Sequence, residues 1–138
     1  MVRFPRGEMP SPDRSPALQE TLRRLTSVAE GIVACAVFAD EGFVIAAQPA
    51  AGEDAAQLAA ICANLVFSAD GAMKRLVQGR LARLLLDAEH GALLCCKCGD
   101  AWLAALIEAD ASLAHALFAA QKASDDIESI MAGEWQPD

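Results

Sequence analysis

The stretch LLCCKCGD, residues 93–100, sets Cys95, Cys96 and Cys98 within four positions. Thiols this close suggest metal ligation or redox work. A structural zinc site needs four ligands, commonly as two close-spaced pairs. This chain offers one C-x-C unit, with Cys35 and Cys62 far away in sequence. In a strand, successive side chains face opposite sides. Cys96 and Cys98 then point one way, Cys95 and Lys97 the other. Cys96 and Cys98 supply only two ligands, and His90 becomes a third only if its turn folds back. A redox role needs an accessible, low-pKa thiolate, and the strong sign of one, C-x-x-C opening a helix, is absent. Cys98, beside Gly99, is expected to be the most exposed thiol and keeps most of the claim on chemistry. Free cysteine is otherwise a small, commonly buried hydrophobe.

Other chemistry has less support. His90 falls in a turn and His115 in the first turn of a helix, and neither has a sequence-level partner set. The pattern G-x-x-x-x-G-K-[ST] does not occur, so the chain is not expected to be a nucleotide hydrolase itself. Asp125, Asp126 and Glu128 read as a solvated helix face. Arg75, Arg80 and Arg83 either answer an acidic partner or are ordinary surface charges. No catalytic, cofactor or metal residue is assigned, and a non-enzyme without cofactor is expected.

The totals narrow the class. The chain has 138 residues, 54% hydrophobic and 22% charged, which suits one domain with a real core. The formal net charge is −8. A duplex DNA binder normally carries a basic face, so nucleic acid is not an expected partner. No apolar run is expected to reach the roughly 18 residues of a membrane span, and the N-terminus, with basic residues but no apolar stretch, is not expected to be a secretory signal. The five cysteines are not spaced as a disulfide framework, which points to a reducing cytoplasm.

The elements follow from spacing. Residues 1–15, with Pro5, Pro10 and Pro12, read as a flexible tail. Ser15 is the expected N-cap and Pro16 the first helical residue of a helix over 16–29. Strands are expected at 32–39 and 43–48, joined by Asp40-Glu41-Gly42, where Gly42 can take positive φ. Residues 53–78 read as one long helix closed by Gly79. Its expected apolar line is Leu58, Leu65, Ala69, Ala72 and Leu76, with Phe67 on the opposite, polar side. Three strands follow at 80–89, 92–98 and 101–108. Asp110 or Ser112 then caps a last helix, and residues 133–138 read as a frayed end. The domain therefore spans 16–132 in the order α-β-β-α-β-β-β-α. The fold class is α/β: a three-layer α-β-α sandwich on a five-stranded, mostly antiparallel sheet. The runs 32–39 and 101–108 are apolar on both faces and should be central. The charges Arg80, Arg83, Asp87 and Glu89 mark 80–89 as an edge.

This order, with ACAVFADEGFVIAA, the alanine-rich helix and HGALLCCKCGDAWLAALIE, resembles the Roadblock / dynein light-chain family over about residues 17–131. The resemblance implies a profilin-like fold and a homodimer or close heterodimer. In such proteins an edge strand pairs across a two-fold axis and the long helices meet over the joined sheet. It implies no cofactor and no catalytic residue. Prokaryotic members are typically partners or regulators of small Ras-like GTPases, whereas other members serve as scaffolds. On that basis Phe67, Leu81, Arg83 and Leu85 are the expected dimer-interface residues. The expected partners are a second copy, through 80–89 and 53–78, and a small Ras-like GTPase. The alternatives are a scaffold or adaptor without effect on nucleotide turnover, and a thiol or metal protein using Cys95, Cys96 and Cys98.

Overall fold

A computed structural model describes residues 14–49 and 53–133. Most of the expected tail and most of the expected frayed end fall outside these residues. The elements run α1 (Arg14–Val28), β1 (Ile32–Ala39), β2 (Val44–Gln48), α2 (Glu53–Arg75), β3 (Arg83–Ala88), β4 (Gly91–Cys98), β5 (Ala101–Glu108) and α3 (Leu113–Met131). The sheet is antiparallel throughout, in the order β2-β1-β5-β4-β3. Helices α1 and α3 pack on one face and α2 on the other, giving the three-layer sandwich.

Strand alternation divides the core. Cys35, Val37, Leu94, Cys96, Cys98, Leu103, Ala105 and Ile107 point toward α1 and α3. There they meet Leu18, Leu22, Leu25, Ala116, Ala120 and Ile127. Phe38, Cys95, Trp102 and Ala104 point toward α2, where they meet Ala59, Cys62 and Val66. Both faces of β1 and β5 are covered, which is why those two strands are apolar on both sides. At the β1–β2 turn, Gly42 takes φ +97, the left-handed backbone expected of it. Trp102 Nε1 donates to Asp40 Oδ1 at 2.9 Å and ties that turn to the sheet. Lys97 adds a second tie, its Nζ 3.8 Å from Asp40 and 5.0 Å from the Trp102 ring centroid.

Several expectations are corrected here. Helix α1 already begins at Arg14, so Ser15 and Pro16 lie inside its first turn. Helix α2 stops at Arg75, short of Gly79. Its end is closed by Gln78 N–H donating to Met73 O at 2.9 Å and Val77 N–H to Lys74 O at 3.0 Å. That pattern is a Schellman motif, whose left-handed position here is Val77, at φ 59. The third strand starts at Arg83 rather than 80, because the Leu81 N–H is taken by Asp70 Oδ1 at 2.7 Å. Of the two candidates for the α3 cap, Ser112 is the cap, its Oγ accepting from His115 N–H at 3.2 Å.

The buried line of α2 is also rotated from the expected one. Ala59, Cys62 and Val66 are buried, whereas Leu76 is exposed and Leu58, Leu65, Ala69 and Ala72 are half-buried. The helix is apolar on more than its packed side, so periodicity alone misplaces the seam. By length and composition, Asp54–Arg75 is long and apolar enough to cross a membrane. This corrects the expectation that no run is long enough; Gln57, Asn64 and Asp70 interrupt the segment and hide its length in the sequence.

Candidate interaction surface

The three thiols of LLCCKCGD do not converge. Cys96 and Cys98 enter the α1/α3 core and Cys95 the α2 core, as alternation requires. Cys98, expected to be exposed, is fully buried. The cause is the underside of α3: Ser124 Oγ lies 3.2 Å from Cys98 Sγ and donates to Lys97 O at 3.3 Å. Burial pushes the Cys98 thiol up to about 12, Cys35 to about 12 and Cys96 to about 11. Cys95 is raised first by its hydrogen bond to Cys62, then by burial. These thiols stay protonated at neutral pH and are poor nucleophiles. Among the described residues, no group of three or more His, Cys, Asp or Glu side chains is placed to hold a metal ion.

The two edges of the sheet are protected differently. Edge strand β2 is blunted by α1. The Gln19 amide donates to Ala47 O and to Gln48 Oε1 (3.1 Å), and Gln19 Oε1 accepts from Ala47 N–H at 3.4 Å. A single side chain thus occupies both backbone groups of Ala47, one recognised way to protect an edge. Nothing in the sequence pattern of α1 announces this contact.

Edge strand β3 has no such guard. Lys97 N–H donates to Ala82 O at 3.0 Å, so residue 82 points its backbone groups inward to β4. Antiparallel alternation then turns Leu84 and Leu86 inward and leaves Arg83, Leu85 and Asp87 facing outward. Among the described residues, no hydrogen bond reaches those outward groups. The strand is nonetheless rich in leucine, with Leu85 38% and Leu86 42% exposed. Leu84 and Leu86 lie on the α2 side and Leu85 on the α3 side, opposite Leu94.

The α2 side beside β3 is open as well. Helix α2 lies over β1, β2 and β5 and reaches β4 at Cys95. Leu93 of β4 is left half-buried and Leu106 of β5 exposed on that face. A cavity of about 580 Å³ lies under the N-terminal half of α2, lined by Val33, Gln48, Leu58, Ile61, Leu93 and Leu106 among others; it reaches β4 at Leu93 but includes no β3 residue. Phe67 stands on the outer surface of α2, 82% exposed.

The four expected interface residues therefore separate. Phe67, Arg83 and Leu85 are exposed, whereas Leu81 packs into the protomer's own α2 core. Arg83 is steadied on the α3 side, where its Nη1 donates to Gln121 Oε1 at 2.7 Å and Gln121 in turn donates to Asp125 at 3.1 Å. Asp70, by α2's end, is held below the ordinary carboxylate range, first by the Leu81 N–H and then by Lys74.

Among the described residues, the α-β-α sandwich therefore presents one apolar, unguarded sheet edge and an exposed flank of α2. The Roadblock/LC7 domain model matches residues 17–108, and the chain belongs to that family. A search of curated protein sequences finds no match. Among solved structures, the chain is similar to an MglB with tetrameric arrangement at TM-score 0.80 and 18% identity, covering 88% of this chain and 93% of that one. It is similar to Myxococcus xanthus MglB at TM-score 0.78 and 18% identity, covering 99% and 98%. It is also similar to Acanthamoeba castellanii profilin IA at TM-score 0.54 and 14% identity, covering 80% and 96%. At these identities the likeness is one of fold, and it includes the profilin-like architecture expected from the sequence.

Proposed function

We propose that the chain is a non-catalytic, dimeric partner of a small Ras-like GTPase, acting in the cytoplasm by surface contact. The contrast between the two sheet edges carries the dimeric part of this reading. Strand β2 is guarded by Gln19, while β3 keeps three leucines and outward backbone groups that no hydrogen bond reaches among the described residues. An unguarded edge of this kind is an aggregation hazard unless a second strand covers it. Two-fold pairing of β3 would cover it and bring the α2 helices of two copies together over the joined sheet. The GTPase part rests on membership of the Roadblock family and on likeness in fold to the MglB structures. Regulation would then consist of a joined α2 surface that favours one arrangement of the GTPase switch loops.

The test is a pull-down with a small GTPase encoded beside this protein, followed by GTP hydrolysis under single-turnover conditions. A complex that changes the hydrolysis rate supports the regulator. A complex with an unchanged rate replaces it with the scaffold reading, and no complex with either nucleotide state overturns the GTPase assignment.

A further inference from the structure

The outward face of β3 has a pattern that matches its own reverse. Residues 82–88 read Ala-Arg-Leu-Leu-Leu-Asp-Ala. Read backward against itself about Leu85, alanine meets alanine, arginine meets aspartate, and each leucine meets a leucine. We propose that β3 pairs with β3 of a second copy of this chain in one register, centred on Leu85, with two symmetric Arg83–Asp87 ion pairs fixing that register and favouring self over other partners. This inference rests on the dimeric reading above and specifies its geometry.

Three observations restrict the register. First, the Lys97–Ala82 bond sets Arg83, Leu85 and Asp87 as the residues whose N–H and C=O groups face the free edge. An antiparallel ladder joins outward groups only to outward groups, so the register can slip only in steps that keep this parity. Second, centring on Leu85 pairs Arg83 with the partner's Asp87, Leu85 with the partner's Leu85, and Asp87 with the partner's Arg83. All three outward positions of each strand are then used. Third, Arg83, Leu85 and Asp87 share one sheet face, the α3 side, so the opposed charges stand beside each other without crossing the sheet.

The neighbouring registers are poorer. A centre on Leu84 sets Arg83 against the partner's Leu85 and Asp87 against the partner's Leu81, outside the strand. A centre on Leu86 sets Asp87 against the partner's Leu85 and moves Arg83 to the partner's Glu89, in the turn beyond the strand. Each leaves a charge opposite a leucine. Opposed charges directly across a ladder are favourable, and like charges there are unfavourable. The Gln121 contact uses only part of the Arg83 donor set and holds the guanidinium at the edge. Asp87 has no ion-pair partner among the described residues.

Charge reversal on the full chain tests this, read by sedimentation equilibrium and native mass spectrometry. Arg83→Asp alone sets aspartates against Asp87, and Asp87→Arg alone sets arginines against Arg83. Each should raise the dimer dissociation constant by roughly 30-fold or more, since two symmetric pairs turn from attraction to repulsion. Mixed one to one, the two variants should form a heterodimer, because every opposed pair is again complementary. That rescue also shows that both variants fold. Glu89→Arg should leave the dimer unchanged. If the parent chain dimerises but both reversals keep its dissociation constant, or the mixture fails to recover it, the register is wrong and two-fold association stands. A strong effect from Glu89→Arg moves the centre to Leu86 and also overturns the proposal. A parent chain that stays monomeric at high micromolar concentration removes the dimeric reading and the register with it.

Discussion

Val77 occupies a position that glycine would fill better, and the cost can be worked out. It is the left-handed residue of the Schellman closure of α2, at φ 59, and it is 87% exposed. A β-branched residue rarely adopts this conformation. The left-handed backbone costs an L-residue roughly 1–2 kcal/mol. Val77 gains almost no burial in return. Glycine removes that strain but loses more freedom on folding, a penalty of roughly 0.5–1 kcal/mol. The difference predicts that Val77→Gly stabilises the protein by about 0.5–1 kcal/mol. For a domain of this size that is a rise in Tm of roughly 2–4 °C. Urea unfolding and a thermal scan, both at fixed protomer concentration, read it directly. Gly79, at φ +91 with open space around a would-be Cβ, is the matching control. Gly79→Ala there should lower stability by a similar amount without any clash. A Val77→Gly protein with an unchanged or lower urea midpoint and an unchanged m value would refute the strain argument.

Further outcomes follow from the same geometry. Leu85→Lys places a cation at the centre of the bare edge, and light scattering should show a monomer; the parent's dimer mass would contradict edge pairing. Ser112→Ala removes the Oγ that accepts from His115 N–H and should cost about 1 kcal/mol in urea unfolding, since N-cap serines are typically worth that much. Burial raises the folded pKa values of Cys35, Cys96 and Cys98, so their contribution to stability is complete below pH 9 and lost as pH rises through 11 to 12. Unfolding free energy should therefore fall above pH 9, by up to about 1.4 kcal/mol per pH unit for each thiol. A flat profile from pH 8.5 to 10.5 in reducing buffer would show that these thiols titrate as they do in the unfolded chain. Native protein should also react with a disulfide thiol probe far more slowly than unfolded protein.

What the sequence disclosed depended on how many faces an element uses. β1 and β5 are covered above and below, so their runs of apolar residues have the bounds expected, 32–39 and 101–108. Five strands, three helices and the edge position of the third strand followed from charge and turn chemistry. The phase of α2 did not, because a helix with apolar residues on both its packed and open sides has no single stripe to read. Its true end was hidden because Val77 takes the conformation that Gly79 advertises. The Asp70–Leu81 bond shortened β3, and the Ser124–Cys98 contact buried the thiol expected to be free. Both join residues eleven or more positions apart, a range that local pattern does not encode. Gln19 guarding β2 is of the same kind.

The two faces of the sheet explain why the open surface lies where it does. On one side α1 and α3 contact each other and share a broad core from Leu18 to Ile130. On the other side α2 lies alone, over a smaller core centred on Phe38, Cys62, Cys95 and Trp102. One helix cannot cover five strands, since it is about 10–12 Å wide with side chains and strands repeat every 4.7–4.9 Å. With α2 lying over β1, β2 and β5 and reaching β4 at Cys95, the outer edge of the sheet at β3 is left without a helix directly over it. The chain fills that region with leucines rather than charges: Leu84, Leu86, Leu93 and Leu106. Had the face been meant for water, alternation would call for polar residues at those positions. The exposed leucines, the outward backbone of β3 and the uncovered flank of α2 are thus consequences of a single deficit, a missing fourth helix. In the dimer proposed above, a second copy would supply that cover with its own α2 and its own β3. The prediction that separates this from chance exposure is Leu86→Glu, which points to the α2 side and away from the Arg83–Asp87 pairs. It should weaken self-association while leaving the urea midpoint of the isolated monomer nearly unchanged. A large loss of monomer stability would mean that Leu86 already serves the protomer's own core, and the deficit argument would fail.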